Sequence, residues 1–209
     1  MIIIENQPFP LINWIKYSFQ KEHIILLSCE GFRKMTFRNR FIVAGGTGLI
    51  PLSTPLVLGR NQKIPFKDVR ISYQQNWQLR HWRTLTSCYN KSPFFEYYKD
   101  GLEIFFMGKW QFLFDWNMAI LGWLKKVLIF PAEIIVAEEP PEDAEDLREK
   151  WLPKNFQNDT FEIVYPQVFE NKIGFQKNLS ILDLLFNMGP HAADILKSSP
   201  LIVHSNRPF

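Results

Sequence analysis

Four basic side chains lie close together in the stretch FRKMTFRNR, residues 32–40. If residues 37–43 form a strand, alternation places Arg38 and Arg40 on one face and Asn39 on the other. Two guanidinium groups on one face can hold a phosphate or a carboxylate through paired hydrogen bonds. We therefore expect an anionic ligand here, the alternative being an exposed strand face, where basic residues are routine and protect an edge. The predicted anion-binding residues are Lys34, Arg38, Asn39 and Arg40.

A single histidine, His81, lies in the middle of an aromatic stripe on a predicted helix. Trp77, His81 and Leu85 share one helix face, and Trp82 is adjacent. Because burial shifts the pKa of a histidine and suits it to move protons, His81 is the candidate catalytic residue. A core histidine with a hydrogen-bonded ring is the alternative. Trp77 and Trp82 are the candidate ligand-binding aromatics beside it.

Other reactive residue types lack the spacing that their chemistry requires. Cys88 follows His81 at a distance of about 10 Å of helix rise, too far for a thiol and its base to meet, so we interpret it as structural. The glycine cluster at 45–48 lacks the Lys-Ser/Thr pair of a phosphate-binding loop and predicts a hairpin turn. No His, Cys, Asp or Glu set has metal-ligand spacing, so the sequence predicts no metal site and identifies no cofactor.

The hydrophobic pattern predicts the elements that must position these residues. Predicted strands cover residues 2–5, 23–28, 37–43 and 66–72, and predicted helices cover residues 11–19, 76–89, 110–128 and 181–188. Ser180 and Asp183 fit a capping box at the start of the last helix. We predict an α/β (or α+β) fold in one domain over residues 1–209. Its N-terminal third is β-rich with a mixed sheet, and its C-terminal half is mainly helical.

Composition favours a soluble globular protein of the cytoplasm. Of the 209 residues, 46% are hydrophobic and 15% aromatic, with only two cysteines and a net charge of +3. We expect the surplus of aromatic residues to pack in the core, and the alternative is that some of them contact a flat ligand or a partner surface. The net charge is too small to indicate nucleic acid, and no apolar stretch reaches the ~18 residues of a membrane span. The N-terminal segment also lacks the basic region of a signal peptide.

An acidic segment, EEPPEDAEDLREK at residues 138–150, holds seven of the 21 acidic residues and two of the 24 basic ones. Its density of acids and its two prolines favour a solvated surface loop. The alternative is a segment that screens a basic face of the same domain.

A series of motifs along most of the chain resembles the WbqC-like family of bacterial proteins. The motifs are TFRNRFIV, PLSTPLV, VRIS, NWQLRHWRTLTSCYNKSPFFEYY, LFDWN, DLREKWLPK, YPQVFENKIGF and NLSILDLLFNMGP, in that order. The last of them and the block that contains His81 are long enough to be specific. One departure is QPFPLINW at residues 7–14, which stands where members commonly have a tyrosine-rich segment.

The resemblance implies a role in surface-polysaccharide (O-antigen-like) biosynthesis, because the namesake of the family is associated with such gene clusters. As an enzyme, the protein would be an acyl, aminoacyl or activated-sugar transferase. The basic residues would hold the phosphate or carboxylate of a small-molecule substrate, and His81 would move a proton. The alternative is a non-catalytic binding or scaffolding protein for polysaccharide assembly. The oligomeric state is not predicted.

Overall fold

The structure is a computed structural model that describes residues 1–159 and 162–198. Its elements in chain order are β1 (Ile2–Ile3), α1 (Ile12–Phe19), β2 (His23–Leu27), β3 (Arg40–Gly45), β4 (Gly48–Ser53), a 3-10 helix (Phe66–Asp68), α2 (Trp77–Tyr89), α3 (Phe95–Met107), α4 (Leu113–Val127), β5 (Glu133–Ala137), β6 (Glu145–Asp146), α5 (Glu170–Ile173), α6 (Ile181–Met188) and α7 (His191–Ser198). Most strands lie in the N-terminal part and most helices in the C-terminal part. The predicted α/β class is therefore confirmed, and the single domain stays a prediction.

Four parallel strands form the main sheet in the order β5, β2, β1, β6. Ile2 of β1 pairs with Ile24 of β2 on one side and with Glu145 of β6 on the other. The apolar runs of β1 and β2 are buried, as expected of inner parallel strands that are covered on both faces. Because the strand order reverses between β1 and β6, ligands in such sheets commonly bind beyond the carboxyl ends of these two strands.

A separate antiparallel hairpin joins β3 to β4. Gly45 pairs with Gly48, so Gly46 and Thr47 form the turn, which confirms the hairpin predicted from the glycine cluster. The start of the predicted strand at 37–43 is wrong, because β3 begins only at Arg40. The residues before it form turns, so alternation does not govern the direction of their side chains.

The predicted strand at 66–72 is also wrong. Residues 66–68 form the 3-10 helix, and residues 70 and 71 form only isolated bridges with Phe112 and Leu56. Phe66 and Val69 are both fully buried. Their spacing of three residues matches one 3-10 turn and not the alternation of a strand.

The helical prediction holds for α1, α2, α4 and α6, but it misses α3. Asp100-Gly101 has the composition of a turn, yet both residues lie inside this helix. A Cβ atom at Gly101 would lie 2.8 Å from Nε1 of Trp123 in α4, so the missing side chain lets the two helices pack closely. No helix of residues 1–159 and 162–198 is both long and apolar enough to cross a membrane.

Phe9 lies at the centre of the aromatic core. Its ring centroid is 4.9 Å from Phe41, 5.8 Å from Phe106 and 6.2 Å from Trp116. The core therefore joins the loop after β1, the hairpin, α3 and α4. Phe9 has a positive φ of 43°, between two prolines that restrict its neighbours. This contact network accounts for a large part of the aromatic surplus.

The acidic segment at residues 138–150 is not a loop throughout. Its second half contributes β6 to the edge of the main sheet. Its carboxylates also form ion pairs with basic residues elsewhere in the chain: Glu138 with Lys67, Glu145 with Lys21, and Glu149 with Arg33. Most of the segment outside β6 is irregular and exposed, so the surface loop stays a prediction, and the ion pairs agree with the alternative in which the segment screens a basic face.

Candidate functional site

A cleft of about 400 Å³ lies beside the start of the β3–β4 hairpin. Its polar lining comprises Asn39, Arg40, Thr54, Arg60, Gln75 and Arg80, together with Ser53. Apolar surface comes from Pro55 and Leu56, and the lining formed by the described residues includes no Asp or Glu. We call this cavity the arginine cleft.

Three different elements supply the arginines of the arginine cleft. Arg40 is the first residue of β3 and pairs with Ser53 at the end of β4. Arg60 belongs to the loop that follows β4, and Arg80 lies in the first turns of α2. The hairpin and the helix therefore fix two of the arginines, while the loop carries the third.

The positive charge of the arginine cleft is not neutralised within the described parts of the chain. No salt bridge joins Arg40, Arg60 or Arg80 to a carboxylate among residues 1–159 and 162–198, and Arg80 instead donates to Oε1 of Gln75 at 2.9 Å. Burial, and then the charge of Arg60, lower the pKa of Arg40. Nε of Arg40 is buried without a hydrogen-bond partner in those same residues. An anion would supply both the charge and the acceptor.

Asn39 lines the arginine cleft and also fixes the backbone beside it. Its Nδ2 donates to the carbonyl oxygen of Thr54 at 2.9 Å, and the amide of Thr54 donates to the carbonyl of Asn39 at 2.8 Å. These two bonds hold the segment before β3 against the segment after β4, close to Arg40. Asn39 thus has a positioning role next to the predicted anion.

Arg38 lies elsewhere, in a buried ion network. Its side chain is 0% exposed, with Nε 3.2 Å from Glu5 and Nη2 2.6 Å from Glu30. Arg148 extends the network, because it contacts both Glu30 at 3.1 Å and Asp146 at 2.5 Å. The expectation that Arg38 and Arg40 share one face is therefore wrong: Arg38 precedes the strand and turns into the protein.

The ion network occupies the carboxyl ends of the parallel strands. Glu5 follows β1, Glu30 follows β2 and Arg148 follows β6, so the position where open α/β sheets commonly bind ligands is filled by the protein's own charges. Burial raises the pKa of Glu5 to about 7, although Arg38 opposes the shift. The second carboxylate on Arg38, that of Glu30, raises the pKa further.

Lys34 lines a second cavity, of about 430 Å³. Its Nζ is 3.4 Å from Oδ1 of Asn61, and the side chain is exposed. Arg60 lines this cavity as well as the arginine cleft. Of the four predicted anion-binding residues, the structure brings Asn39 and Arg40 into one cavity, places Lys34 in the adjacent one, and removes Arg38 from both.

His81 is a core residue beside the arginine cleft and does not line it. It is 6% exposed, and its ring centroid lies 5.1 Å from Trp77 and 6.0 Å from Phe41. Burial, followed by the charge of Arg80, lowers the pKa of His81 to about 4, while the carbonyl of Ser53 raises it. The imidazole is therefore neutral at physiological pH, and its Nδ1 has no partner among the described residues.

Trp77 and Trp82 also belong to the core. Trp77 is fully buried, with its ring centroid 5.4 Å from Trp116, and Trp82 packs 5.7 Å from Phe106. Neither tryptophan lines the arginine cleft. The aromatic stripe of α2 therefore packs into the core. Contact of Trp77 or Trp82 with a ligand stays a prediction.

The strongest sequence motif, NLSILDLLFNMGP, forms a buried polar centre around Asp183. Ser180 caps α6 as predicted, because its Oγ accepts from the amide of Leu182 at 3.3 Å. Asp183, however, does not complete a capping box: it accepts from the hydroxyls of Tyr89 at 2.6 Å and Tyr165 at 2.8 Å. Burial raises the pKa of Asp183 to about 6, against the effect of these hydrogen bonds. The prediction of backbone capping by Asp183 is wrong.

Sequence reasoning missed Arg60 and Arg80 as members of the candidate site. Arg80 could have been found, because it points away from the aromatic stripe of α2 on the same helix as His81. Arg60 lies in an irregular loop, where no periodicity indicates direction. No group of three or more His, Cys, Asp or Glu residues in the described parts of the chain could hold a metal ion.

Comparison with known proteins gives one match. A model of the WbqC-like protein family matches residues 7–152 and 142–195. No curated protein and no solved structure matches significantly. The match covers the hairpin, α2 and the loop with Arg60, so all three arginines of the cleft lie within it.

Proposed function

Because the chain belongs to the WbqC-like protein family, we propose that it binds a phosphate- or carboxylate-bearing small molecule in the arginine cleft. The proposed binding step serves the biosynthesis of a surface polysaccharide of the O-antigen type. That setting rests on the association of the family's namesake with such gene clusters, and the binding step rests on the geometry of the arginine cleft.

One observation carries the proposal: three arginines from three elements meet at a cleft whose lining includes no carboxylate. Like charges repel, so such a cluster costs free energy unless a ligand compensates it. Guanidinium groups present planar pairs of donors that match phosphate and carboxylate oxygens. We propose Arg40 as the main residue in contact with the anion, because it is half-buried and its Nε lacks a partner in the described residues.

The position of His81 favours binding without turnover over a transferase that uses this histidine. A proton donor or acceptor must come within about 3 Å of the reacting group, directly or through a water. His81 is buried, does not line the cleft and has a pKa lowered to about 4, which makes its imidazole a weak base. An acyl, aminoacyl or activated-sugar transferase remains the second proposal, supported by the family setting and by the anion-binding lining.

We also propose a cytoplasmic location. Cys29 and Cys88 are both free thiols, which suits a reducing compartment.

The proposed function can be tested by calorimetric titration with phosphate, sulfate and nucleotide-sugars. We expect Arg40→Met to weaken anion binding at least tenfold, because the variant keeps the bulk and removes the charge. Arg83→Met is the matched control, since Arg83 is exposed on α2 and lines neither basic cavity. Equal affinities of wild type and Arg40→Met would contradict the proposal. Mass spectrometry after incubation with nucleotide-sugars, acyl-CoA and carrier-bound amino acids distinguishes turnover from binding alone.

A further inference from the structure

Two basic cavities adjoin each other around one arginine. The arginine cleft and the second cavity, of about 430 Å³, are both lined by Arg60. The other basic residues of the second cavity are Arg33, Lys34 and Lys63, and its lining includes no Asp or Glu. Because one side chain lines both cavities, the two cavities adjoin each other at Arg60.

The charges of the second cavity are only partly compensated. Arg33 is paired with Glu149 at 2.6 Å. Among the described residues, Nζ of Lys34 has one polar contact, with the amide oxygen of Asn61 at 3.4 Å. Lys63 forms no salt bridge or side-chain hydrogen bond with the residues that the structure describes. Two lysines therefore remain available on one side of Arg60.

The arginine cleft presents two further uncompensated cations, Arg40 and Arg80, on the other side of Arg60. A single phosphate group carries a charge of about −1.5 to −2, which is less than this combined set of cations can balance. A ligand with two linked anionic groups matches the arrangement better, one group on each side of Arg60. The guanidinium has donors in a planar fork, so it can contact both groups at once.

We infer that the two cavities together bind a diphosphate ester where they adjoin, with one phosphate at Arg40 and Arg80, the other at Lys34 and Lys63, and Arg60 in contact with both. This inference rests on the proposed function and adds the substrate class. Phe32 lies in the wall of the second cavity. Both cavities open to solvent, so the organic group of the ester can extend out of them.

The organic part of the ester has two candidate sources, a nucleoside and an isoprenoid. A third cavity, of about 270 Å³, shares Gln62 with the second cavity and is lined by Val57, Leu58 and Ile64, together with Asp68 and Arg70. Val57 and Leu58 are 57% and 64% exposed. This apolar surface suits a hydrocarbon chain, whereas a nucleoside would not need it.

The test is calorimetric titration of the full chain with inorganic phosphate, pyrophosphate, uridine monophosphate, uridine diphosphate and geranyl diphosphate. We expect pyrophosphate to bind at least tenfold more tightly than phosphate, and uridine diphosphate at least tenfold more tightly than uridine monophosphate. Lys63→Gln and Lys34→Gln should reduce that ratio severalfold, because each removes one cation that contacts the second phosphate. Lys109→Gln, an exposed lysine that lines neither cavity, should leave the ratio unchanged and so controls for general charge.

The outcomes test the diphosphate inference separately from the proposed anion-binding function. If phosphate binds and Arg40→Met abolishes that binding, but diphosphates show no preference that depends on Lys34 or Lys63, the diphosphate inference is overturned and the proposed function stands. If no anion binds, both are overturned. A preference for geranyl diphosphate that Leu58→Ser removes would identify the isoprenoid class, and equal binding of uridine diphosphate with no effect of Leu58→Ser would identify the nucleotide class.

Discussion

Nη2 of Arg38 lies 2.6 Å from Oε1 of Glu30 inside the protein, whereas Arg40, two positions later, lines a cleft without a carboxylate. The two arginines of the RNR motif thus have different functions. Arg38 joins the carboxyl ends of the parallel strands, and Arg40 lines the arginine cleft, where we propose that it binds an anion.

Stability should distinguish the two arginines. We expect Arg38→Met to lower the free energy of unfolding by about 3–5 kcal/mol, because it leaves Glu5 buried without its cation and leaves Glu30 with Arg148 alone. Glu5 and Glu30 would both lose their contact with Arg38. Arg40→Met should change stability by less than about 1 kcal/mol. Urea unfolding measures both, and similar losses in the two variants would contradict the assignment.

Stability should fall as the pH rises because of Glu5. The folded-state pKa of Glu5 is about 7, above its ordinary value of 4.5. Between these values the folded protein holds more protons than the unfolded chain, so the free energy of unfolding decreases with pH. The loss begins near pH 4.5 and is complete above pH 7.

Glu5→Gln provides the comparison for this pH dependence. A glutamine cannot ionise, so the variant should lose less stability than wild type between pH 5 and pH 8, whatever its absolute stability. Over the whole pH range, wild type should lose at most about 3 kcal/mol more of its free energy of unfolding than the variant, at 1.36 kcal/mol for each unit of pKa. Urea midpoints at several pH values measure it. A parallel pH profile in the two proteins would show that Glu5 is ionised throughout.

His81→Phe should keep anion binding. His81 does not line the cleft, and its neighbours are mainly aromatic rings. Its Nδ1 is buried without a partner in the described residues, and the substitution removes the contact of the ring with the carbonyl of Ser53 and should cost about 1–3 kcal/mol of stability. We expect phosphate affinity within twofold of wild type. A tenfold loss of phosphate affinity without a change in melting temperature would show that His81 contributes to the binding site.

Asp183→Ala should destabilise the protein more than Ser180→Ala. Loss of the N-cap hydroxyl of Ser180 costs about 1 kcal/mol. Loss of Asp183 leaves the hydroxyls of Tyr89 and Tyr165 without their acceptor in a buried site, at about 1–3 kcal/mol for each group. Thermal and urea unfolding of the two variants give the comparison. Equal effects would mean that water replaces the carboxylate.

Local pattern predicted much of the fold. The stripe through Trp77, His81 and Leu85 predicted α2, and Ser180 marked the start of α6, because helix faces and caps are set by neighbouring residues. The same reasoning missed α3, since Asp100-Gly101 resembles a turn. The reason for that glycine is a contact with Trp123 in α4, which no local pattern indicates.

The candidate site was only partly predictable for the same reason. No acidic residue lies within four positions of Arg38 or Arg40 on either side, yet Arg38 is neutralised by Glu5 and Glu30, which follow other strands. Conversely, Arg60 and Arg80 join Arg40 from a loop and a helix. Charge pattern along the chain predicts that cations are present, and only tertiary structure decides which of them have partners.

The pairing of β1 has a consequence for how the chain folds during synthesis. Ile2 and Ile3 enter the sheet between β2, which is made soon afterwards, and β6, which ends at residue 146. One side of β1 therefore stays unpaired until residues 145 and 146 have left the ribosome. Such distant pairings slow folding, and an open apolar strand edge invites aggregation. We expect the nascent protein to require chaperones until β6 has been synthesised and can pair with β1.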